Sequence, residues 1–184
     1  MKRLAAFAAV LVLSACGYTV AQTGSPADPY YDGTSAVRAQ AALLDTGGKA
    51  IGVATFRDAR LGVVVDLRIV GLKKGEHGTH IHAVGKCETP DFATAGAHFN
   101  PNGKQHGLHN ANGPHSGDLP NLVVGDDGSG HLSYVDPLLS LEPGAANSII
   151  GLSIVVHADP DDERTDPAGN SGGRIACGVI NKAS

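Results

Sequence analysis

Apolar and polar positions alternate with a period of two over much of this chain, and that period predicts strands. In Ala36 to Leu44 (AVRAQAALL), Val37, Ala39, Ala41 and Leu43 alternate against Arg38 and Gln40. Asp45-Thr46-Gly47-Gly48 is a turn. Lys49 to Arg57 and Val63 to Val70 alternate again and are rich in β-branched residues, which makes two early hairpins the economical reading. Thr79 to Val84 is a fourth short strand. Leu122 to Val124 and His131 to Val135 flank a Gly- and Asp-rich hairpin turn at 126–130. Ile149 to His157 and Arg174 to Ile180 are continuous enough to be buried core strands. No segment after the first dozen positions carries a sustained helical period. About eight strands suit an all-β sandwich or closed barrel.

Two segments interrupt this pattern. Gly85 to Leu119 runs about 35 residues without a strand signal, and Ala158 to Gly173 runs about 16. Loops of such length in a compact domain are usually functional or disordered. The first holds four histidines, which favours function.

The N-terminus reads as an address. Met1-Lys2-Arg3 is basic, and Leu4 to Leu13 is a ten-residue apolar run. Ten residues are too few to span a bilayer as a helix but suit the core of a secretion signal. Leu13-Ser14-Ala15-Cys16 resembles the lipobox of bacterial lipoproteins, which implies cleavage after residue 15 and a lipid on Cys16. An ordinary cleaved signal with a chance cysteine would give the same string. Residues 17–35 are rich in Gly, Ser, Pro, Asp and Thr and read as a flexible tether of at most about 65 Å. The expected organisation is a signal peptide (1–15), a lipid-anchored tether (16–35) and one domain (36–184). The expected location is outside the cytoplasm, periplasmic or at the cell surface, on a membrane.

Composition narrows the classes. The 184 residues carry 14 Lys and Arg against 18 Asp and Glu, a net charge of −4. Loss of Lys2 and Arg3 with the signal makes it −6. This balance argues against a nucleic-acid partner gripped through a basic face. Nine histidines and an odd three cysteines stand out.

The histidines cluster. His80 and His82 sit two apart on a strand and project from one face. Two exposed strand histidines would give the same string. His157 ends an apolar strand, where a lone His is commonly unremarkable. His98, His106, His115 and Asp118 lie in the long loop. Three His and one Asp make a closed tetrahedral set, which for zinc means a structural site. His80, His82 and His157, with a shared His, make an all-imidazole site that suits Cu(II).

The spacing resembles the copper-zinc superoxide dismutases. The matching stretches are Gly78-Thr79-His80-Ile81-His82, Ala97-His98-Phe99-Asn100-Pro101, His106, Gly113-Pro114-His115-Ser116-Gly117-Asp118-Leu119, Val155-Val156-His157 and Gly169 to Ile180. The resemblance implies an eight-stranded Greek-key β-barrel or sandwich with two long functional loops. It implies dismutation of superoxide to dioxygen and hydrogen peroxide by a copper centre cycling between Cu(II) and Cu(I). His80, His82, His98 and His157 would bind copper. His98, His106, His115 and Asp118 would bind zinc, with His98 shared. Arg174 would stand beside the copper as the anion-guiding residue, and His98 would carry a proton. Asp161 would link His80 to His106, and Cys87 would pair with Cys177. Taken alone, Asp161 would be a solvated carboxylate and Arg174 a surface charge. His77, His109 and His131 have no ligand position and read as solvated loop or turn residues. Family members pair through different surfaces, so a homodimer is admitted with no interface residues to name. In one respect the chain departs from the pattern. Eukaryotic members carry a lysine in the guiding loop, whereas residues 158–173 hold Asp159, Asp161, Asp162, Glu163 and Asp166 against one Arg164. The alternatives are a copper-delivery lipoprotein on the same scaffold and a zinc hydrolase. The second lacks a general-base Glu beside the His clusters.

Overall fold

The computed structural model describes residues 36–183. The expected signal peptide, Cys16 and the tether lie outside the described residues. Strands β1 (Ala39–Asp45), β2 (Ala50–Ala59) and β3 (Gly62–Ile69) form the two early hairpins. They are followed by β4 (Gly75–His82), β5 (Asp118–Val124), β6 (Gly130–Asp136), β7 (Ser153–His157) and β8 (Arg174–Val179). A two-residue β9 (Asn181–Lys182) pairs with the start of β1. The spatial order is β2-β3-β6-β5-β4-β7-β8-β1, and β1 pairs back onto β2. The result is a closed antiparallel barrel with Greek-key crossovers, since β6 returns beside β3 and β7 beside β4.

The inner face is the alternating set. Leu43, Phe56, Leu67, Ile69, Ile81, Leu122, Ile154 and Ile180 are fully or almost fully buried in one core. Burial of each such side chain is worth about 1.5–3 kcal/mol. Three strands start four residues from their expected positions, each for a local reason. Strand β4 starts four residues before Thr79, because Gly75, Glu76 and His77 pair with β5 ahead of a bulge at Gly78. A Cβ on Gly78 would meet Ser171 Cβ at 2.7 Å, so the bulge needs glycine. Strand β7 loses Ile149–Leu152 to a turn in which Gly151 has φ 83°. Strand β5 extends back to Asp118 through Pro120, whose missing N–H suits an unpaired edge. That edge exists: β5 and β6 pair only at Val124↔Gly130, next to their turn, and part beyond it.

Both long loops pack on the outside of the barrel over β4 and β7. The first carries the single helical turn among the described residues, Ala93–Ala95. A Cys87–Cys177 disulfide ties it to β8.

Candidate metal centre

Strand β4 carries Ile81 into the core, so His80 and His82 point outward beneath the loops. The register sets His80 opposite Val155 and His82 opposite Ser153, which places His157 on the same outer face. His98 reaches this group because its segment hangs on the end of β4. Phe99 N donates to Ile81 O (2.8 Å), Ala83 N donates to Ala97 O (2.9 Å), and His98 bridges His82. The donor atoms of His80, His82, His98 and His157 all lie within 4.8 Å of one another, and all four residues are buried.

Hydrogen bonds fix which ring nitrogens face inward. His80 Nε2 lies 2.6 Å from Asp161 Oδ2, His82 Nδ1 lies 2.9 Å from Gly96 O, and His157 Nδ1 lies 3.1 Å from Gly172 O. Oxygen acceptors require N–H on those atoms. The remaining nitrogens are therefore lone pairs: His80 Nδ1 and the Nε2 atoms of His82 and His157. His80 Nδ1 is buried without a hydrogen-bond partner. The two Nε2 atoms face each other at 3.4 Å. An orphaned buried acceptor is costly, and three converging lone pairs fit a cation.

A second convergence adjoins the first. The Nδ1 atoms of His98, His106 and His115 lie 3.1, 2.9 and 3.3 Å from one oxygen, Asp118 Oδ1. His115 Nδ1 makes no hydrogen bond there although it is buried. Ligands about 2.0–2.1 Å from a tetrahedral zinc are spaced about 3.3 Å apart, so this set also fits an ion. Asp118 Oδ2 accepts from Gly107 N (2.8 Å) and His115 N (2.9 Å), which turns Oδ1 toward the rings. Proximity alone also groups His80 with His98, His106 and Asp118. Hydrogen bonding separates it from them, since Asp161 occupies His80 Nε2.

The charges divide the same way. Burial and neighbouring rings lower His80 to about 3, His82 to about 2 and His157 to about 4, and they lower His98 as well. All four are neutral at pH 7, as ligand imidazoles must be. Burial also opposes charge on His106, but hydrogen bonds to Asp118 and Asp161 outweigh it and raise His106 to about 9. Burial would raise both carboxyls, yet their histidine partners hold them well below the ordinary range. Two ionised carboxylates thus demand a positive charge between them, which His106 supplies by protonation and a metal cation would supply in its place.

Arg174, at the start of β8, donates from Nη1 to Phe92 O and from Nη2 to Gly96 O, both at 2.6 Å. Gly96 O therefore holds both Arg174 and His82. Burial lowers the arginine's pKa, and the Asp91 carboxylate works against that. The guanidinium lines an open depression of about 660 Å³ with Pro90, Asp91, Ala93, Gly96, Gly172 and others. Its two walls carry the carbonyls that orient His82 and His157.

The family model for copper/zinc superoxide dismutase matches residues 50–180. The chain belongs to the copper/zinc superoxide dismutase family. Superoxide dismutase [Cu-Zn] 2 of Aquifex aeolicus is 44% identical, over 78% of this chain and 86% of that protein. Superoxide dismutase [Cu-Zn] of Deinococcus radiodurans is 42% identical, over 80% and 85%. Among solved structures, a SOD-like protein from Bacillus subtilis superposes with a TM-score of 0.73 at 38% identity, covering 76% of this chain and 96% of that one.

Other residues of this dismutase-family domain were not legible as part of the site. His77 is not solvated: it is 3% exposed, with Nδ1 2.8 Å from His157 O and Nε2 2.8 Å from Lys73 O. Its position three residues before His80 was the available signal. His109 is exposed yet not idle, since its Nδ1 meets Glu163 Oε2 at 2.7 Å and joins the two long loops. His131 is a surface partner of Asp66. Asn121 had no signal. Its amide bonds Asp161 reciprocally, Nδ2 to Asp161 O and Oδ1 from Asp161 N, both at 2.8 Å.

Proposed function

We propose that copper binds His80, His82, His98 and His157, and that zinc binds His98, His106, His115 and Asp118, with His98 shared. The observation that carries this reading is the pair of convergences: lone pairs of neutral imidazoles on one side, three Nδ1 atoms about a carboxylate oxygen on the other. As a member of its family the chain is a superoxide dismutase and yields dioxygen and hydrogen peroxide from superoxide, with copper and zinc as cofactors. Copper supplies the one-electron change in each direction, and zinc supplies charge without redox chemistry. The protein's own groups do the rest. Arg174, immobilised by two carbonyls, presents its remaining N–H groups to a small anion in the depression. His98 turns Nδ1 toward Asp118, and with zinc on that nitrogen Nε2 would be the atom that can hold a proton for the peroxide product. Asp161 fixes the rings of His80 and His106 at once. A copper-delivery role would require neither Arg174 held in this way nor the second convergence.

The test is metal content together with superoxide consumption by the mature protein. Full loading with both metals and no consumption would sink the enzyme reading. We also propose that the chain is exported and held on a membrane by a lipid on Cys16. The small residues before that cysteine, directly after the apolar run, support this.

A further inference from the structure

Three of the four proposed zinc ligands are fixed by the barrel. His98 hangs on the end of β4, Asp118 opens β5 opposite His80, and His115 N donates to Asp118 Oδ2 (2.9 Å). His106 is fully buried yet lies in the long loop, away from any strand. Gly107 N and Asn110 Nδ2 tie its backbone locally. Its remaining holds come from the acidic loop, residues 158–173. Asp162 Oδ1 accepts Arg164 N (2.9 Å) and Thr165 N (2.7 Å), and Gly169 N donates to Thr165 O (2.7 Å), which closes a tight turn with Asp166 on it. The turn is registered against the histidine-bearing loop. His109 N donates to Glu163 O (2.9 Å), and a Cβ on Gly107 would meet that same oxygen at 2.3 Å. Asp166 Oδ1 then accepts His106 N at 2.6 Å and lies 3.7 Å from His115 Nε2. Zinc on His115 Nδ1 would leave that ring's N–H at Nε2, on the side of this carboxylate. Two carboxylates of one loop thus grip His106, Asp161 at ring Nε2 and Asp166 at the backbone N. Asp161 also holds His80, whereas Asp166 meets two zinc histidines.

We propose that Asp166 is a positioning residue for the zinc ligands His106 and His115, and that it sets zinc retention separately from copper. The proposal rests on the zinc assignment above. A backbone N–H bonded to a carboxylate is a charge-assisted contact. Here it fixes where the His106 backbone sits, and so where the ring can place Nδ1. Without it the segment around His106 has to be ordered by the metal itself, and that ordering is subtracted from zinc affinity. The Asp166 side chain is 49% exposed, so its effect belongs at the low end of what partners behind a metal ligand contribute.

The experiment uses the mature protein and chelator competition, with zinc affinity measured alone and copper affinity measured at saturating zinc. Co(II) in place of zinc adds a spectroscopic reading, because its visible bands are strong in a tetrahedral field and fade as water enters the coordination shell. Asp166→Ala is expected to weaken zinc binding about tenfold, to weaken the Co(II) bands and to leave copper affinity unchanged. Asp166→Asn keeps an oxygen for the His106 N–H and is expected to stay within about threefold of wild type. Zinc affinity unchanged in Asp166→Ala, an equal fall for copper, or Asp166→Asn as weak as Asp166→Ala would overturn the proposal. His106→Ala with unchanged zinc affinity would overturn the zinc assignment itself, and the proposal with it.

Discussion

Asp161 and His80 meet at 2.6 Å, Oδ2 to Nε2, with both side chains essentially shut off from solvent. The other oxygen of the same carboxylate lies 3.0 Å from His106 Nε2 and accepts Glu163 N at 2.6 Å. One side chain thus orients one ring in each proposed site. Asp161→Asn would face one ring N–H with an amide N–H. Metal affinity is expected to drop about 10- to 100-fold at both sites. Gly169→Ala should act in the same way, since its Cβ would lie 1.7 Å from Asp161 Oδ1. Chelator competition measures both variants, and unchanged affinities would show that Asp161 is dispensable.

Arg174→Ala should lower the superoxide rate constant about tenfold or more while both metals stay bound. The guanidinium touches Phe92 and Gly96 carbonyls but ligates nothing. Rate measurement with metal analysis checks this. Loss of copper would contradict the assigned role.

The disulfide acts on the same arginine indirectly. Cys87 and Cys177 close a loop with a sequence separation of 90 and tether the segment that offers Phe92 O and Gly96 O. Replacing both with serine should cost about 4 kcal/mol of stability. It should also slow turnover, because the carbonyl grip on Arg174 loosens. Denaturant unfolding and rate constants in parallel would show whether the two losses travel together.

Asp136 gives a pH dependence of stability that does not rest on any histidine. It is 3% exposed at the end of β6, with its carboxylate bonded to Leu138 N at 2.8 Å. Burial raises its pKa from 3.8 to about 7, and Asp118 adds to the effect. Between those values the folded state keeps a proton that the unfolded state releases. Stability therefore falls as pH rises through that window, at up to about 1.4 kcal/mol per pH unit, and levels off above it. Asp136→Asn should remove this slope and stabilise the domain above about pH 7. Urea unfolding at about pH 5 and about pH 7.5 is the check; equal slopes in the two proteins would exclude the assignment.

For the N-terminus, Cys16→Ser should move the protein from the membrane fraction to the soluble fraction after cell lysis. Unchanged partitioning would reject lipidation.

The half-buried strands were legible because one face meets the core and the other meets water, as in β1, where Ala39, Ala41 and Leu43 are buried and Gln40 and Ala42 exposed. Strand β4 blurs this contrast. From His77 onward both faces are buried, one by the core and one by the loops, so its start could not be placed from alternation. The pair His80 and His82 showed itself through a two-residue period that survives burial. What stayed hidden acts through the backbone. Gly96 O, Gly172 O and Phe92 O orient two rings and an arginine, and carbonyls leave no trace in residue type. His77 was misread for a related reason: its two partners are carbonyls from a turn and from β7, brought together only by the barrel.

The parting of β5 from β6 has a consequence for how the molecule fails. Along that gap the reciprocal bonds of Asn121 with the backbone of Asp161 take the place of a neighbouring strand. The same Asp161 holds the rings of His80 and His106. Loosening that loop would free the two rings and uncover the open stretch of β5 together, and an uncovered strand edge is where a protein has least to hold its register.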